Sequence, residues 1–174
     1  RGDIAVLAAR RSDLEAMQAA LAQIGIASVI SAGGSVFHTP AATEWLSLLE
    51  ALEQPHRTDR VRAAALTSFF GVSVEALDAG GDTFTDSLAE QVRALADVFG
   101  RRGIAAVLEV CVVEGLTARV LGRVGGERTL TDLRHIGEEL LRVGTEQRLG
   151  LVAMLAWLRE QVGDEKREVA AERT

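Results

Sequence analysis

The chain has 174 residues, enough for one sizeable domain or for a small domain with a partial one attached. Hydrophobic residues make up 48% and charged residues 25%, which excludes a disordered chain. The formal net charge of -6 disfavours a nucleic-acid binder that acts through a general positive field, although it leaves room for local phosphate contacts. No apolar stretch is long enough to span a bilayer and no signal peptide is recognisable, so we expect a cytoplasmic protein.

The first 30 residues have the pattern of a β-α-β unit. Apolar runs at 3–8 and 26–30 predict two strands, and the helix between them starts at the capping box Ser12–Glu15 and stops at Gly25. Two strands joined by a helix form a right-handed parallel crossover, but two strands alone are too little sheet to be stable. We therefore predict that residues 1–38 are a stub of a larger parallel sheet whose other strands lie outside this sequence.

From residue 39 onward the sequence has helical periodicity and no further strand signal. Thr39 is placed to cap a helix whose first residue is Pro40, and Pro55 ends that helix. The predicted helix starts and breaks that follow are at Thr58 or Asp59, Gly71 with Ser73, Gly80-Gly81, Ser87, Arg101-Arg102-Gly103, Gly115, Gly122, Gly125-Gly126 and Thr129.

Apolar residues at helical spacing indicate which side chains form the core of this helical part. The residues predicted to face inward are Trp45, Leu48, Leu49, Leu52, Val61, Ala64, Leu66, Leu88, Val92, Leu95, Val98, Phe99, Leu130, Leu133, Ile136, Leu140, Leu151, Leu155, Leu158 and Val162. The fold class is therefore predicted as mainly α: the β-α-β stub, a helical domain of about seven or eight helices over 39–163, and a charged tail over 164–174.

No motif in the sequence supports catalysis. The chain has no Gly-x-x-x-x-Gly-Lys-Ser/Thr phosphate loop, and its glycine pair at Gly33-Gly34 is typical of a turn. His38, His56 and His135 lack metal-ligand spacing. The single cysteine, Cys111, excludes an internal disulfide and a cysteine cluster, and its apolar neighbours indicate a small buried side chain. We expect no catalytic, cofactor-binding or metal-binding residue in this chain.

Two segments are candidates for phosphate contact. Residues 56–62 form a local basic cluster at a helix start, which either meets phosphates or an acidic partner or is an ordinary exposed helix. Residues 67–73 join two helices through a glycine turn, and backbone amides at such a capped helix start can hold a phosphate without reading sequence. The alternative is a plain connection between helices. The DNA-binding candidates are Arg57, Arg60, Thr67, Ser68, Gly71 and Ser73.

Several segments together resemble one protein family: 3–7, 25–29, 35–37, 64–71, 101–104, 125–136 and 152–158. The first three look like the entry into the second RecA-like domain of UvrD-type superfamily 1 helicases. The others are similar to the RecB branch of these helicases, the beta subunit of exodeoxyribonuclease V. The most specific segment is Gly125–Ile136, which reads GGERTLTDLRHI. The resemblance covers residues 3 to about 162.

The resemblance implies that the parent protein is an ATP-driven helicase and exodeoxyribonuclease, with ATP and magnesium as cofactors, that acts on double-strand DNA ends in recombinational repair. RecC-like and RecD-like subunits are its implied partners. Residues 1–38 would belong to the second motor domain, and 39–163 to the inserted accessory domain called 2B. In relatives a turn at the place of 67–73 approaches duplex DNA. In this chain the turn reads Gly71-Val72-Ser73, where those relatives have Gly-Ile-Gly. A second departure lies at the end of the first predicted strand, where this chain has Ala9 and many relatives have arginine.

We expect the chain to be a non-catalytic module that orients the motor and contacts partner subunits, with duplex contact as a further candidate role. Two alternatives stay open. An accessory domain of another UvrD-like or AddA-type helicase is disfavoured by residues 125–136. A stand-alone helical interaction module is disfavoured by the unpaired strands predicted at the start.

Compared with the family that it resembles, the sequence lacks the phosphate-loop lysine, the later helicase motifs and the nuclease domain, so the purified chain is expected to hydrolyse no ATP and to cut no DNA. A coupled ATPase assay with linear duplex DNA, run beside an intact superfamily 1 helicase as positive control, measures the first, and gel electrophoresis of the same DNA measures the second. Robust turnover that co-elutes with the chain in gel filtration would refute the expectation.

Overall fold

The computed structural model describes residues 6, 11–26, 28 and 35–171. The chain divides into two compact units, Arg1–Gly34 and Ser35–Thr174. In the first unit, helix α1 spans Arg11–Gln23. It ends where predicted, because Gly25 adopts a φ of 74° and the amide of Ile26 donates to the carbonyl of Leu21 over 2.9 Å. The two predicted strands, 3–8 and 26–30, lie for the most part outside the described residues, so the β-α-β stub stays a prediction.

The second unit is helical throughout its described part, which confirms the mainly α prediction. After a short 3-10 helix at Val36–His38 come α2 (Pro40–Glu53), α3 (Thr58–Ala65), α4 (Val74–Val113), α5 (Leu116–Leu121), α6 (Gly126–Glu146) and α7 (Leu151–Ala171). Helix α4 is interrupted twice, at Gly81 with a φ of 58° and at Gly103 with a φ of 76°. Both interruptions fall where glycines predicted a break, because only glycine adopts these angles without steric cost.

Glycines also bracket α5 as predicted: Gly115 precedes it in the left-handed conformation and Gly122 follows it. Two predicted starts are displaced, however. Thr58 is the first residue inside α3, so neither Thr58 nor Asp59 is its cap. Helix α6 begins at Gly126, before Thr129. Gly126 packs so tightly against the end of α5 that an added Cβ would lie 2.1 Å from the Val120 carbonyl oxygen.

Two further predicted caps behave differently in the structure. The hydroxyl of Thr39 donates to the Val36 carbonyl over 2.7 Å and does not cap α2, although Pro40 is the first residue of that helix as predicted. The helix in the middle of α4 resumes directly after Gly81, well before the predicted start at Ser87. Helix α7 continues as far as Ala171, into the segment predicted as a charged tail.

The core of the second unit is centred on α2, which packs against α3, α4, α6 and α7. Trp45, Leu48 and Leu49 on its inner face are fully buried. The Trp45 indole N–H donates to the Leu133 carbonyl of α6 over 2.8 Å, and the ring of Phe69 meets that of Trp45 edge to face with centroids 4.8 Å apart. Each fully buried leucine contributes roughly 1.5–3 kcal/mol of transfer free energy, so this face adds substantially to stability.

The predicted inward-facing residues are buried or partly buried, with one exception. Leu66 is 43% exposed, because it follows the last residue of α3 at the point where the chain leaves the helix. No helix in the described ranges has the length and apolar character needed to cross a membrane.

Cys111 lies buried on α4, as predicted, and burial together with the nearby Glu114 carboxylate raises the pKa of its thiol to about 12. The folded state therefore favours the neutral thiol. The stability that this contributes is fully present below the unfolded thiol's pKa of about 8.5 and is lost as pH rises from there towards 12.

We expect Cys111 to resist Ellman's reagent at pH 8 in the folded protein and to react at once in denaturant, because only the thiolate attacks the reagent. A matched control is Ala63→Cys in a Cys111→Ala background, since Ala63 is exposed on α3. Equal rates for the two thiols in the folded state would contradict the burial described here.

Candidate nucleic-acid interface

The connection between α3 and α4 is a tight glycine turn, which we call the Gly71 turn and define as residues 67–73. The amides of Phe70 and Gly71 both donate to the carbonyl of Thr67, over 3.3 and 2.7 Å. Gly71 has a φ of 71°, a left-handed backbone conformation that residues other than glycine rarely adopt. The sequence-predicted helix–turn–helix connection is therefore present, with glycine at the residue where the backbone requires it.

The predicted cap at the end of the turn is confirmed. The Ser73 hydroxyl accepts a hydrogen bond from the amide of Ala76 over 3.1 Å, at the start of α4. The backbone amide of Glu75 and the Ser73 hydroxyl hold the pKa of the Glu75 carboxyl below its usual range. An anionic side chain therefore already interacts with this helix start, and a phosphate would compete with it.

Arg119 of α5 binds the backbone of the Gly71 turn. Its Nε donates to the Ser68 carbonyl over 3.2 Å, and its Nη2 donates to the carbonyl of Phe69. Its Nη1 donates to the carbonyl of Glu114 over 2.5 Å, at the end of α4. The same side chain crosses Gly71 so closely that a Cβ added there would lie 2.5 Å from the Arg119 Cδ. One guanidinium thus fixes the turn to α5 and to the end of α4.

Ser68 is fully buried at the centre of a second set of hydrogen bonds. Its amide donates to Glu44 Oε2 over 2.8 Å, and its hydroxyl pairs with Glu44 Oε1 over 3.1 Å. Arg123 donates to the same hydroxyl over 3.2 Å. Thr67 is also buried, and its hydroxyl donates to the Ala64 carbonyl over 2.6 Å. Both hydroxyls face inward and shape the turn, so they do not present themselves to a ligand directly.

The basic cluster at the start of α3 is neutralised in part by carboxylates. Arg57 pairs with Asp59 through two contacts of 3.0 and 2.9 Å, which lowers the pKa of Asp59. Arg60 pairs with Glu50, which also accepts from Arg159 over 2.7 Å. The pair of Arg57 and Asp59 is exposed, and exposed pairs are weak, so a phosphate can replace the carboxylate.

The structure does not bring the two candidate groups together. Arg57 and Arg60 lie at the beginning of α3, and the Gly71 turn follows its end. Arg57 precedes α3 and Arg60 is its third residue, so about 8–12 Å of helix lies between these arginines and the start of the turn. Gly71 and Ser73 are exposed and Thr67 and Ser68 are buried, so a ligand would meet the first two. The DNA-binding role of all six candidates stays a prediction.

Sequence reasoning missed three side chains of this region: Glu44, Arg119 and Arg123. A signal existed for Glu44, which lies on the same face of α2 as Ala41 and Leu48 and interrupts that apolar face with a charge. For Arg119 no local signal existed, because its turn partners are 50 and 51 residues away. Within the described ranges, no group of three or more His, Cys, Asp or Glu side chains could hold a metal ion.

We expect Gly71→Ala to destabilise the protein by about 1–3 kcal/mol, because the left-handed backbone is strained for alanine and its Cβ would collide with Arg119. Gly100→Ala is the matched control: Gly100 lies within α4 and nothing is within 4 Å of the added Cβ, so it should be neutral or stabilising by up to about 1 kcal/mol. Urea unfolding followed by circular dichroism measures both. Equal midpoints for the two variants would show that the turn tolerates a side chain.

The known proteins that are similar to this chain are subunits of one enzyme. No protein-family model matches the chain. It is 45% identical over 159 residues to the RecBCD enzyme subunit RecB of Mycolicibacterium smegmatis, which covers 91% of this chain and 15% of that protein. The RecB of Mycobacterium tuberculosis strain H37Rv matches at the same identity, with 91% of this chain and 14% of that protein covered.

A more distant relative is the RecBCD enzyme subunit RecB of Escherichia coli K12, 32% identical over 165 residues, which covers 92% of this chain and 14% of that protein. The chain thus spans about 15% of the length of the curated relatives it matches. The resemblance predicted from the sequence is confirmed: over 91% of its length, this chain corresponds to a segment of RecB, a subunit of the RecBCD enzyme.

Proposed function

We propose that this chain is a non-catalytic helical segment of a RecB-type parent, an ATP- and magnesium-dependent helicase and exodeoxyribonuclease that acts on double-strand DNA ends in recombinational repair. The observation that carries the proposal is the 45% identity to mycobacterial RecB over 91% of the chain. Residues 1–38 are assigned to the second motor domain of the parent and 39–163 to its 2B-type accessory domain. RecC-like and RecD-like subunits are the proposed partners.

The buried polar groups support a positioning role over a catalytic one. Four buried polar or charged side chains occur in the described part: Thr67, Ser68, Thr85 and Asp132. Thr67 and Thr85 each donate to a backbone carbonyl of the preceding turn. Ser68 pairs with Glu44, and Asp132 accepts from Arg128 over 2.9 Å. Each of these four groups therefore has a partner within the protein, which gives it a structural role.

The proposed contribution to DNA binding is a backbone contact at the Gly71 turn. The amide of Gly71 donates to the Thr67 carbonyl, so the amides proposed to meet a phosphate are those in the first turn of α4, beside the exposed residues Gly71 and Ser73. Such a contact positions a duplex without reading its sequence. The net charge of -6 and the carboxylate of Glu75 keep it weak in the isolated chain, so the contact acts within the parent and not as a separate affinity.

The function is tested by exchanging the segment in a related parent. We expect the RecB of Mycolicibacterium smegmatis to retain most of its processing of linear duplex ends when this chain replaces the segment it matches, because the core and the Gly71 turn would be supplied intact. The chimera is purified with its partner subunits, and unwinding and degradation are measured with ATP and magnesium.

The matched control is the same chimera with Trp45→Asp, which places an unpaired charge in the core and should abolish activity and assembly. A chimera that assembles with its partners and has native helix content but processes no duplex ends would contradict the proposed function.

A further inference from the structure

We propose that Trp157 is a positioning residue that couples the accessory domain to the motor of the parent. It fixes the segment by which the chain enters the helical unit, so that a displacement of the motor domain is transmitted to the accessory domain. We define the entry segment as residues 35–39. This inference rests on the proposed function, which assigns 1–38 to the motor domain and 39–163 to the accessory domain.

The first support is that the entry segment packs on the helical unit. That unit begins at Ser35, so residues 35–38, although assigned to the motor domain, are part of it. The 3-10 helix at Val36–His38 contacts α2, α6 and α7. Val36 and Phe37 are partly buried against the core. Because three helices contact it, the entry segment moves together with the accessory domain.

The second support is the backbone of the entry segment, which is held by its own hydrogen bonds. The Phe37 amide donates to the Ser35 hydroxyl over 3.2 Å, and the Thr39 hydroxyl donates to the Val36 carbonyl over 2.7 Å. The amides of His38 and Thr39 donate to the carbonyls of Ser35 and Val36 over 3.1 and 3.2 Å. Helix α2 begins directly after Thr39. The connection into the accessory domain is therefore short and has a defined conformation.

The third support is the contact between the entry segment and α7. The ring of Phe37 meets that of Trp157 edge to face, with centroids 5.4 Å apart and an angle of 85° between the ring planes. Helix α7 is itself fixed, since Leu158 is fully buried and Arg159 donates to Glu50 of α2 over 2.7 Å. Trp157 thus joins the first residues of the helical unit to its last helix.

The place of this contact suits a domain that is inserted into a longer chain. The two connections of such a domain lie close together, and a displacement reaches the domain through them. A connection with few contacts bends at its own residues, whereas one that is packed on the domain moves the domain with it. Phe37 and Trp157 are both partly exposed, so the pair can be removed while the fully buried residues around Trp45 stay in place.

The test removes the ring of Trp157 and then restores one. Trp157→Ala abolishes the contact with Phe37, whereas Trp157→Phe keeps an aromatic ring on the same face of α7. Both variants are made in the chimeric RecB complex described above. The matched control is Phe84→Ala, which also removes a partly buried ring, but on α4, where Phe84 lies against Gly80.

We expect Trp157→Ala to lower the number of base pairs unwound per ATP hydrolysed by about three- to tenfold, the factor by which loss of an aromatic pair shifts a local equilibrium. The kcat for ATP hydrolysis stimulated by single-stranded DNA should stay at the parent value. Trp157→Phe should restore most of the ratio, and Phe84→Ala should leave it unchanged. Amide hydrogen exchange should increase at residues 35–39 in Trp157→Ala alone.

The outcomes separate this inference from the proposed function. A Trp157→Ala complex with the parent ratio of unwinding to ATP hydrolysis overturns the coupling role and leaves the proposed function intact. The same holds if Phe84→Ala lowers the ratio equally, if exchange at 35–39 is unchanged, or if Trp157→Phe restores nothing. If the chimera with Trp157 present processes no duplex, both fail together. Should Trp157→Ala not assemble, Trp157→Leu, which fills more of the space without a ring, decides by the same readouts.

Discussion

The hydrogen bond from the Trp45 indole to the Leu133 carbonyl is the contact on which the rest of the helical unit depends. It joins residues that are 88 positions apart and is fully enclosed by apolar side chains, where an unpaired donor is costly. The ring also lies against Gly137, where an added Cβ would be 3.2 Å from Cζ2 of the indole. The hydrogen bond to Leu133 fixes the rotation of α2 about its axis, and the close contact with Gly137 fixes the distance between α2 and α6.

The rotation of α2 determines what the neighbouring residue can reach. Glu44 directly precedes Trp45, and when the indole is inside, the carboxylate points at Ser68 and accepts from its amide. Arg119 then binds the carbonyl of the same residue from the other side. The turn is thus held between two opposite charges on different helices. The carboxylate of Glu44 accepts from a backbone amide, and the guanidinium of Arg119 donates to a backbone carbonyl. Core packing and the shape of the exposed turn are in this way parts of one connected arrangement.

Local patterns in the sequence were sufficient where local chemistry decides the structure. Glycines marked the breaks at Gly81 and Gly103, and the spacing of apolar residues identified the buried face of α2. The sequence did not reveal which residues of the Gly71 turn are exposed and which are buried, since the burial of Ser68 depends on partners 24 to 55 residues away. The early start of α6 was missed for the same reason, because close packing against Val120 places Gly126 there and no local capping signal does.

The segment that most specifically resembles RecB, Gly125–Ile136, can now be understood physically. Gly125 turns the chain with a φ of 75°, and Gly126 allows α6 to touch the end of α5. Leu133 supplies the carbonyl that receives the Trp45 indole. Gly126 thus places α6 against α5 and Leu133 places it against α2, while α5 carries the arginine that crosses behind the Gly71 turn. The signature therefore specifies how these helices pack, and Arg119 of α5 transmits that packing to the backbone of the Gly71 turn.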